Sequence, residues 1–300
     1  MVRQRKTLQE LTIKDNFMFA AVMLEPDNAK GLLELVLGIE VDYVEISQEK
    51  SIVYNPEYRG VRLDVYIKDN KGTHFNVEMQ AVSQPLVKRE RYYHSQMDME
   101  LLVRGTDYEN LPDGYVIFIC DFDPLGMGKY RYSIRKRVDE NLEYNYPDGS
   151  YTVFLSTVGR NEGQVPKALV KFLKFVAAKP ESSNDDFDDK YIRQLQYSVE
   201  KIKTSRDMEG RFMLFEEMMK NEYKAGHEDG RAEGILEGKL EGKLEYILQL
   251  LNARFTVPDT LPERISRITD ENVLSKLHID AAVSASIEDF ERELDKHLSF

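Results

Sequence analysis

The fold is decided by VRLDVYI at residues 61–67, the polar loop DNKGT at residues 69–73 and FNVEMQ at residues 75–80, which together predict a β-hairpin. Apolar and polar residues alternate in both flanking segments, as they do in strands that have one apolar and one polar face. Taking the loop as the turn fixes a single register, in which the apolar pairs are Ile67 with Phe75, Val65 with Val77, and Leu63 with Met79.

The predicted register places two carboxylates, Asp64 and Glu78, opposite each other, with Gln80 one step further along. Adjacent carboxylates repel each other, and a cation between them removes this repulsion. Oxygen ligands of this kind favour Mg²⁺ or Mn²⁺. The alternative interpretation is a hairpin whose polar face points to solvent and whose acids are merely exposed.

Further motifs surround the hairpin on both sides, and together they cover roughly residues 8–180: KDNFMF at 14–19, LLELVLG at 32–38, KRERYY at 88–93, GTDYENL at 105–111 and VIFI at 116–119. In this order, with Asp64 and Glu78-x-Gln80 at their centre, they resemble the PD-(D/E)XK nuclease superfamily. More narrowly they are similar to its transposase-associated, recombination-promoting branch. The resemblance implies an α/β fold, with a restriction-endonuclease-like αβββαβ core and a mixed sheet, followed by an all-α C-terminal extension.

The sequence departs from the superfamily pattern at two positions of the hairpin. Leu63 stands where a proline commonly precedes the first acid, and Gln80 stands where a lysine commonly follows the second. Glutamine carries no charge, but its amide can orient a water molecule by hydrogen bonding. The resemblance still implies activity, with a cation supplied from the next helix by Lys88, Arg89 or Arg91.

The chemistry that the resemblance implies is hydrolysis of a DNA phosphodiester by a metal-activated water. Asp64 and Glu78 would hold Mg²⁺ or Mn²⁺, with the main-chain carbonyl of Met79 as a further ligand and Gln80 orienting the water. Glu34 could be an additional acid; the alternative is an exposed helical glutamate. The competing hypothesis for the whole chain is a catalytically inactive nuclease-fold protein that acts in DNA binding or in protein assembly through its helical tail.

The composition favours a soluble, cytoplasmic protein. The single cysteine excludes an internal disulfide, and no apolar run approaches membrane-spanning length. The five histidines are scattered without zinc-ligand spacing. We therefore expect no membrane partner and no zinc site.

The net charge of −12 lies mainly in the second half of the chain. Residues 1–180 hold 24 Lys and Arg against 26 Asp and Glu, whereas residues 181–300 hold 17 against 27. A predicted strand in the first half interleaves basic residues with tyrosines, which suits a phosphate-contacting edge. The alternative is an edge strand protected by charge. The basic residues of this strand are Lys129, Arg131, Arg135, Lys136 and Arg137.

The sequence predicts three segments: a nuclease-like domain at residues 1–180, a long helical segment at 181–255 and a small helical module at 256–300. The break is placed at the polar, acidic run of residues 179–186. The long segment carries glycines at a four-residue spacing, and each glycine costs a solvated helix about 1 kcal/mol relative to alanine. We therefore expect self-association through residues 226–250, a flexible acidic spacer being the alternative. The glycines are Gly226, Gly230, Gly234, Gly238 and Gly242.

Overall fold

The computed structural model describes residues 6–52 and 61–298, without the side chains of residues 48–52, 61–63, 222, 225, 229 and 233. Within these residues the order of elements is the predicted αβββαβ series, which a strand pair and further helices then extend. The elements are α1 (Asn16–Met23), α2 (Pro26–Leu37), β1 (Val44–Ile52), β2 (Val61–Asp69), β3 (His74–Gln80), α3 (Val87–Leu101), β4 (Gly114–Cys120), β5 (Arg131–Ile134), β6 (Ser150–Ser156), α4 (Lys167–Ala177), α5 (Lys190–Lys203), α6 (Arg206–Arg254), α7 (Leu261–Ser266), α8 (Glu271–Val283) and α9 (Ile287–Leu298).

The described strands form one mixed sheet in the order β1-β2-β3-β4-β6-β5. The pairs β1–β2, β2–β3 and β5–β6 are antiparallel, whereas β3–β4 and β4–β6 are parallel. The parallel pairs need long connections, and α3 supplies the one between β3 and β4. The predicted α/β fold with a mixed sheet is therefore confirmed.

The hairpin of β2 and β3 has the predicted register. Val65 pairs with Val77 and Ile67 pairs with Phe75. At the turn, the Asp69 carboxylate accepts hydrogen bonds from the main-chain amides of residues 71 and 73, at 2.9 and 2.8 Å. Gly72 adopts a φ of 84°, in the left-handed region that glycine enters most readily. The ladder stops at the Val65–Val77 pair, so the predicted pair of Leu63 with Met79 lies beyond its end.

Both faces of β3 are buried. The odd-numbered residues Phe75, Val77 and Met79 belong to the main core, together with side chains of α1, α2, α4 and α5. The even-numbered residues point to the other face, where Glu78 contacts Arg89 of α3 and a smaller apolar cluster includes Tyr93 and Phe118. The polar face of β3 is therefore covered, and the interpretation of a hairpin with merely exposed acids is wrong for Glu78. The buried polar residues of β3 are His74, Asn76, Glu78 and Gln80.

Helix α5 completes the core of the first compact unit, which ends at Phe215. The buried Asn28 amide of α2 donates to the Val22 carbonyl at 2.8 Å and to the Ser198 hydroxyl of α5 at 2.9 Å. At the start of α6, Phe212 and Phe215 pack on Phe17 with ring centroids 5.1 and 5.5 Å apart. The predicted boundary at residue 180 therefore falls inside this unit.

The second unit begins at Glu216 and is helical, as predicted for the C-terminal extension. The end of α6 packs with α7, α8 and α9 around buried side chains such as Leu251, Leu277 and Phe290. The Arg254 guanidinium donates to the carbonyls of Ala281 at 2.7 Å and Ser284 at 2.7 Å, which satisfies acceptors at the C-terminal end of α8.

Candidate metal centre

The two predicted acids, Asp64 and Glu78, lie next to each other just beyond the end of the pairing between β2 and β3. The main-chain amide of Asp64 donates to Glu78 Oε1 at 3.1 Å, and the amide of Met79 donates to Asp64 Oδ2 at 3.2 Å. Each carboxylate thus accepts a main-chain hydrogen bond from the neighbouring strand. These two bonds hold Asp64 and Glu78 side by side.

The main-chain carbonyl of Met79 lies on the same side of β3 as Asp64. The N–H and C=O of one strand residue point to the same neighbouring strand, and successive residues alternate. The Met79 amide donates towards β2, whereas the Gln80 carbonyl accepts from Asp121 after β4 at 2.9 Å. The Met79 carbonyl therefore points towards β2, in keeping with the predicted third ligand.

The carboxylate of Glu78 is held in an environment that disfavours its charge. Its side chain is 1% exposed. Burial, and next the negative charge of Asp64, raise the pKa of Glu78 to about 8, although the Arg89 guanidinium acts in the opposite direction. The acid pair therefore lacks positive charge even with Arg89 in place.

Arg89 is the basic residue of α3 that reaches the acid pair. One terminal nitrogen of its guanidinium lies 3.2 Å from Glu78 Oε2, and the other lies 3.4 Å from Gln80 Oε1. Its Nε donates to the Tyr93 hydroxyl at 2.7 Å, and the guanidinium lies 5.0 Å from the centroid of the Tyr93 ring. Burial and the charge of Glu78 raise the pKa of Tyr93 to about 12, so the phenol stays neutral and accepts this bond.

Gln80 lies on the same face of β3 as Glu78, and its side-chain oxygen already accepts hydrogen bonds. Gln80 Oε1 accepts from Arg89 and from the amide of Gln84 in the loop before α3. The amide nitrogen of Gln80 is then the group that remains to donate a hydrogen bond to water or to a phosphate oxygen.

The other predicted site residues lie apart from the acid pair. Lys88 and Arg91 are exposed on α3. Glu34 belongs to α2, which packs on the opposite face of the sheet, and its Oε1 accepts from the Val41 amide at 3.2 Å. The structure therefore brings together Asp64, Glu78, Met79, Gln80 and Arg89, and it does not bring Glu34 to them.

The basic residues predicted as a nucleic-acid edge lie on and around β5, the outermost strand next to β6. Each of them has a partner within the chain, and Arg131 joins the edge strand to the last turn of α2. The partners are Gln164 for Lys129 at 3.0 Å, the Val36 carbonyl for Arg131 at 3.1 Å, the Tyr151 ring for Arg135 at 5.5 Å, Asp148 for Lys136 at 2.5 Å and the Leu142 carbonyl for Arg137 at 2.7 Å.

Sequence reasoning missed Tyr93, Gln84 and Asn76. The spacing of four residues between Arg89 and Tyr93 would have placed both on one face of α3. Asn76 precedes Glu78 by two residues on the same face of β3. Both polar atoms of its side chain are buried, and its proximity to Glu78 acts to lower the pKa of that acid, against the effect of burial.

The residues present fit a small divalent cation. Two adjacent carboxylates and a main-chain carbonyl are oxygen donors, which suit Mg²⁺ or Mn²⁺, and Mg²⁺ commonly uses only one or two protein carboxylates. Burial and the charge of Asp64 raise the pKa of Glu78, and a bound cation would oppose both effects. In the described part of the chain, no group of three or more His, Cys, Asp or Glu side chains is arranged to hold a metal ion, so the fit rests on the two acids and the main-chain carbonyl.

Fold and site together indicate a protein of the PD-(D/E)XK nuclease class, and comparison with known proteins supports this class. The family model of PD-(D/E)XK nuclease family transposases matches residues 17–209, and the chain belongs to this family. No curated protein and no solved structure matches the chain significantly. None of the helices in the described residues combines the length and the apolar character that a membrane crossing requires.

Proposed function

We propose that this protein is a Mg²⁺- or Mn²⁺-dependent endonuclease that hydrolyses phosphodiester bonds in DNA and serves recombination or mobile elements. The observation that carries the proposal is the proximity of Asp64 and Glu78 at the end of the pairing between β2 and β3, with Glu78 buried. A fold keeps two such acids together at a cost in stability, which a bound cation offsets.

Each residue of the centre has a distinct role in this proposal. Asp64, Glu78 and the Met79 carbonyl hold the cation, which when bound lowers the pKa of water and neutralises charge on the phosphate. Gln80 donates through its amide nitrogen and orients the attacking water. Arg89 supplies the positive charge that the missing lysine would carry, and it donates to the scissile phosphate.

The DNA backbone would meet the basic residues near β5 apart from this centre, because the Tyr151 ring beside Arg135 stacks on Tyr115 and Tyr115 stacks on Phe75, on the face of the sheet opposite to Glu78. Arg135 suits such a contact best. Its side chain is exposed, and its described contact is with the face of the Tyr151 ring rather than with a hydrogen-bonding group. With few phosphate contacts, binding would be weak and would fall steeply with salt.

The test of the proposal is cleavage of supercoiled plasmid by the full-length protein at low salt, with Mg²⁺ or Mn²⁺. We expect nicking or linearisation that EDTA abolishes and that Asp64→Asn reduces by about 10²- to 10³-fold, a loss typical of removing an electrostatic catalytic group. The side-chain oxygen of the introduced asparagine can still accept the Met79 amide, so the fold should be kept. Asp107→Asn, at an exposed position, serves as the matched control and should cleave like the wild type.

The inactive alternative has one observation in its favour, the ion pair of Arg89 with Glu78. A fixed guanidinium could replace the cation and leave a purely structural site. Folded wild-type protein that cleaves neither plasmid nor single-stranded DNA with either metal would refute the nuclease proposal. The helical second unit would then carry the function, in DNA binding or protein assembly.

We further propose that the chain self-associates through residues 226–250. These residues lie within the continuous helix α6, so the segment is a helix rather than a flexible spacer. Glu237 and Glu241 are four residues apart, as are Lys239 and Lys243, and such like-charged pairs destabilise a helix that stands alone. Among the described atoms, none lies within 4 Å of a Cβ added at any of the five glycines, so another helix can approach this face closely.

Replacing glycines of this helix with leucine distinguishes self-association from a monomeric helical tail. We expect the wild type to be at least a dimer by light scattering, and Gly234→Leu with Gly238→Leu to be monomeric, because leucine blocks the close approach of two helices. Leucine also raises helix propensity, so loss of the helix would not explain the result. Ile235→Leu with Leu236→Ile changes exposed neighbours of similar size and should leave the assembly intact. A wild type that is monomeric at all concentrations would contradict the proposal.

A further inference from the structure

Each acid of the centre commits one oxygen to the main chain of the neighbouring strand. Glu78 Oε1 accepts from the Asp64 amide, and Asp64 Oδ2 accepts from the Met79 amide. The second oxygen of Glu78, Oε2, accepts no main-chain bond in this exchange, so it is the oxygen that would bind a cation with the least disturbance of the strands. Arg89 donates to this same oxygen at 3.2 Å.

A divalent ion and the Arg89 guanidinium thus compete for Glu78 Oε2. Glu78 is almost fully buried, so solvent cannot relieve the competition by binding the carboxylate instead. The side chain of Arg89, in contrast, is 32% exposed. Arg89 therefore has room to move, whereas Glu78 does not.

Tyr93 provides Arg89 with an anchor that does not depend on Glu78. The Nε bond to the Tyr93 hydroxyl and the stacking of the guanidinium on the ring both involve α3 alone. Tyr93 is itself buried and stacks on Phe118 with centroids 6.0 Å apart. A guanidinium displaced from Oε2 would therefore stay next to Gln80, at the edge of the centre where a phosphate would lie.

We infer that Arg89 is an exchangeable cation: it donates to Glu78 Oε2 in the metal-free protein, yields this oxygen to the metal, and then binds the scissile phosphate from its anchor on Tyr93. This inference rests on the proposed function and adds to it a specific consequence. Loss of the Arg89 charge should change metal binding and cleavage in opposite directions. A residue that only supported the structure would lower both.

The experiment measures Mn²⁺ binding by the full-length protein from the electron paramagnetic resonance signal of free Mn²⁺, in parallel with single-turnover plasmid cleavage at saturating Mn²⁺. For Arg89→Met we expect Mn²⁺ to bind about tenfold tighter, because one competing charge is removed. We expect cleavage to slow by about 10²- to 10³-fold, because a phosphate donor is lost. Arg104→Met removes the same charge at an exposed position after α3 and should change neither quantity.

A second neutral variant, Arg89→Gln, guards against misfolding of Arg89→Met and should also bind Mn²⁺ more tightly; thermal unfolding confirms that both are folded. If the wild type binds Mn²⁺ in a manner that Asp64→Asn weakens, but folded Arg89 variants bind it no more tightly, the inference is refuted and the nuclease proposal stands. If the wild type binds no Mn²⁺ at the acid pair, both are refuted.

Discussion

Replacing Glu78 with glutamine should make the metal-free protein more stable at pH 8 and abolish its metal-dependent cleavage. Burial and the charge of Asp64 raise the pKa of Glu78 from 4.5 to about 8. Between these two values the folded protein binds more protons than the unfolded chain, so its stability falls as the pH rises. Glutamine carries no charge to bury, and its oxygen can still accept the Asp64 amide.

The expected gain for Glu78→Gln is about 3–4 kcal/mol at pH 8 and below about 1 kcal/mol at pH 5. One pKa unit corresponds to about 1.4 kcal/mol, and the pKa of about 8 already includes the opposing effect of Arg89. Urea unfolding at both pH values in the presence of EDTA measures it. Mn²⁺ should stabilise the wild type and not the variant, since only the wild type has a full pair of ligands.

Glu109→Gln is the matched control, because this glutamate is exposed and its neutralisation should leave stability unchanged at both pH values. A Glu78→Gln protein that is less stable than the wild type at pH 8 would show that the ion pair with Arg89 outweighs the burial of charge. The acid pair would then be a structural element rather than a centre that awaits a cation.

Ending the chain after residue 180 should unfold the α/β unit, whereas ending it after residue 215 should not. Each fully buried aliphatic side chain stabilises a fold by about 1.5–3 kcal/mol. The loss of four such side chains therefore approaches the net stability of a whole domain, about 5–15 kcal/mol. The side chains that α5 buries in the core are Ile192, Leu195, Val199 and Ile202.

The shorter fragment also loses polar partners, since Gln194 donates to the buried Asn28 at 2.8 Å and Asn28 donates to Ser198. Far-ultraviolet circular dichroism with thermal melting compares the two fragments. We expect a cooperative transition for residues 1–215 and none for residues 1–180. Equal melting temperatures would restore the predicted boundary at residue 180 and make α5 a dispensable addition.

The sequence by itself determined the register of the hairpin and the proximity of the two acids. Both follow from local information: a period of two in each strand and a polar loop with glycine at its turn. The same periodicity, combined with the order of motifs, determined the mixed α/β fold. The exact end of the ladder did not follow, because beyond Val65 and Val77 the amides of Asp64 and Met79 donate to the two carboxylates.

The tertiary structure alone decided which charges surround the acids. Lys88, Arg89 and Arg91 are equivalent as sequence, and only the packing of α3 on the sheet selects Arg89 for Glu78. The packing of α2 on the opposite face removes Glu34 from the acid pair. Burial of the polar face of β3, and with it the raised pKa of Glu78, likewise depends on what covers the strand. The physical reason is the same in each case: periodicity assigns a side chain to a face, but contacts between distant elements decide what that face meets.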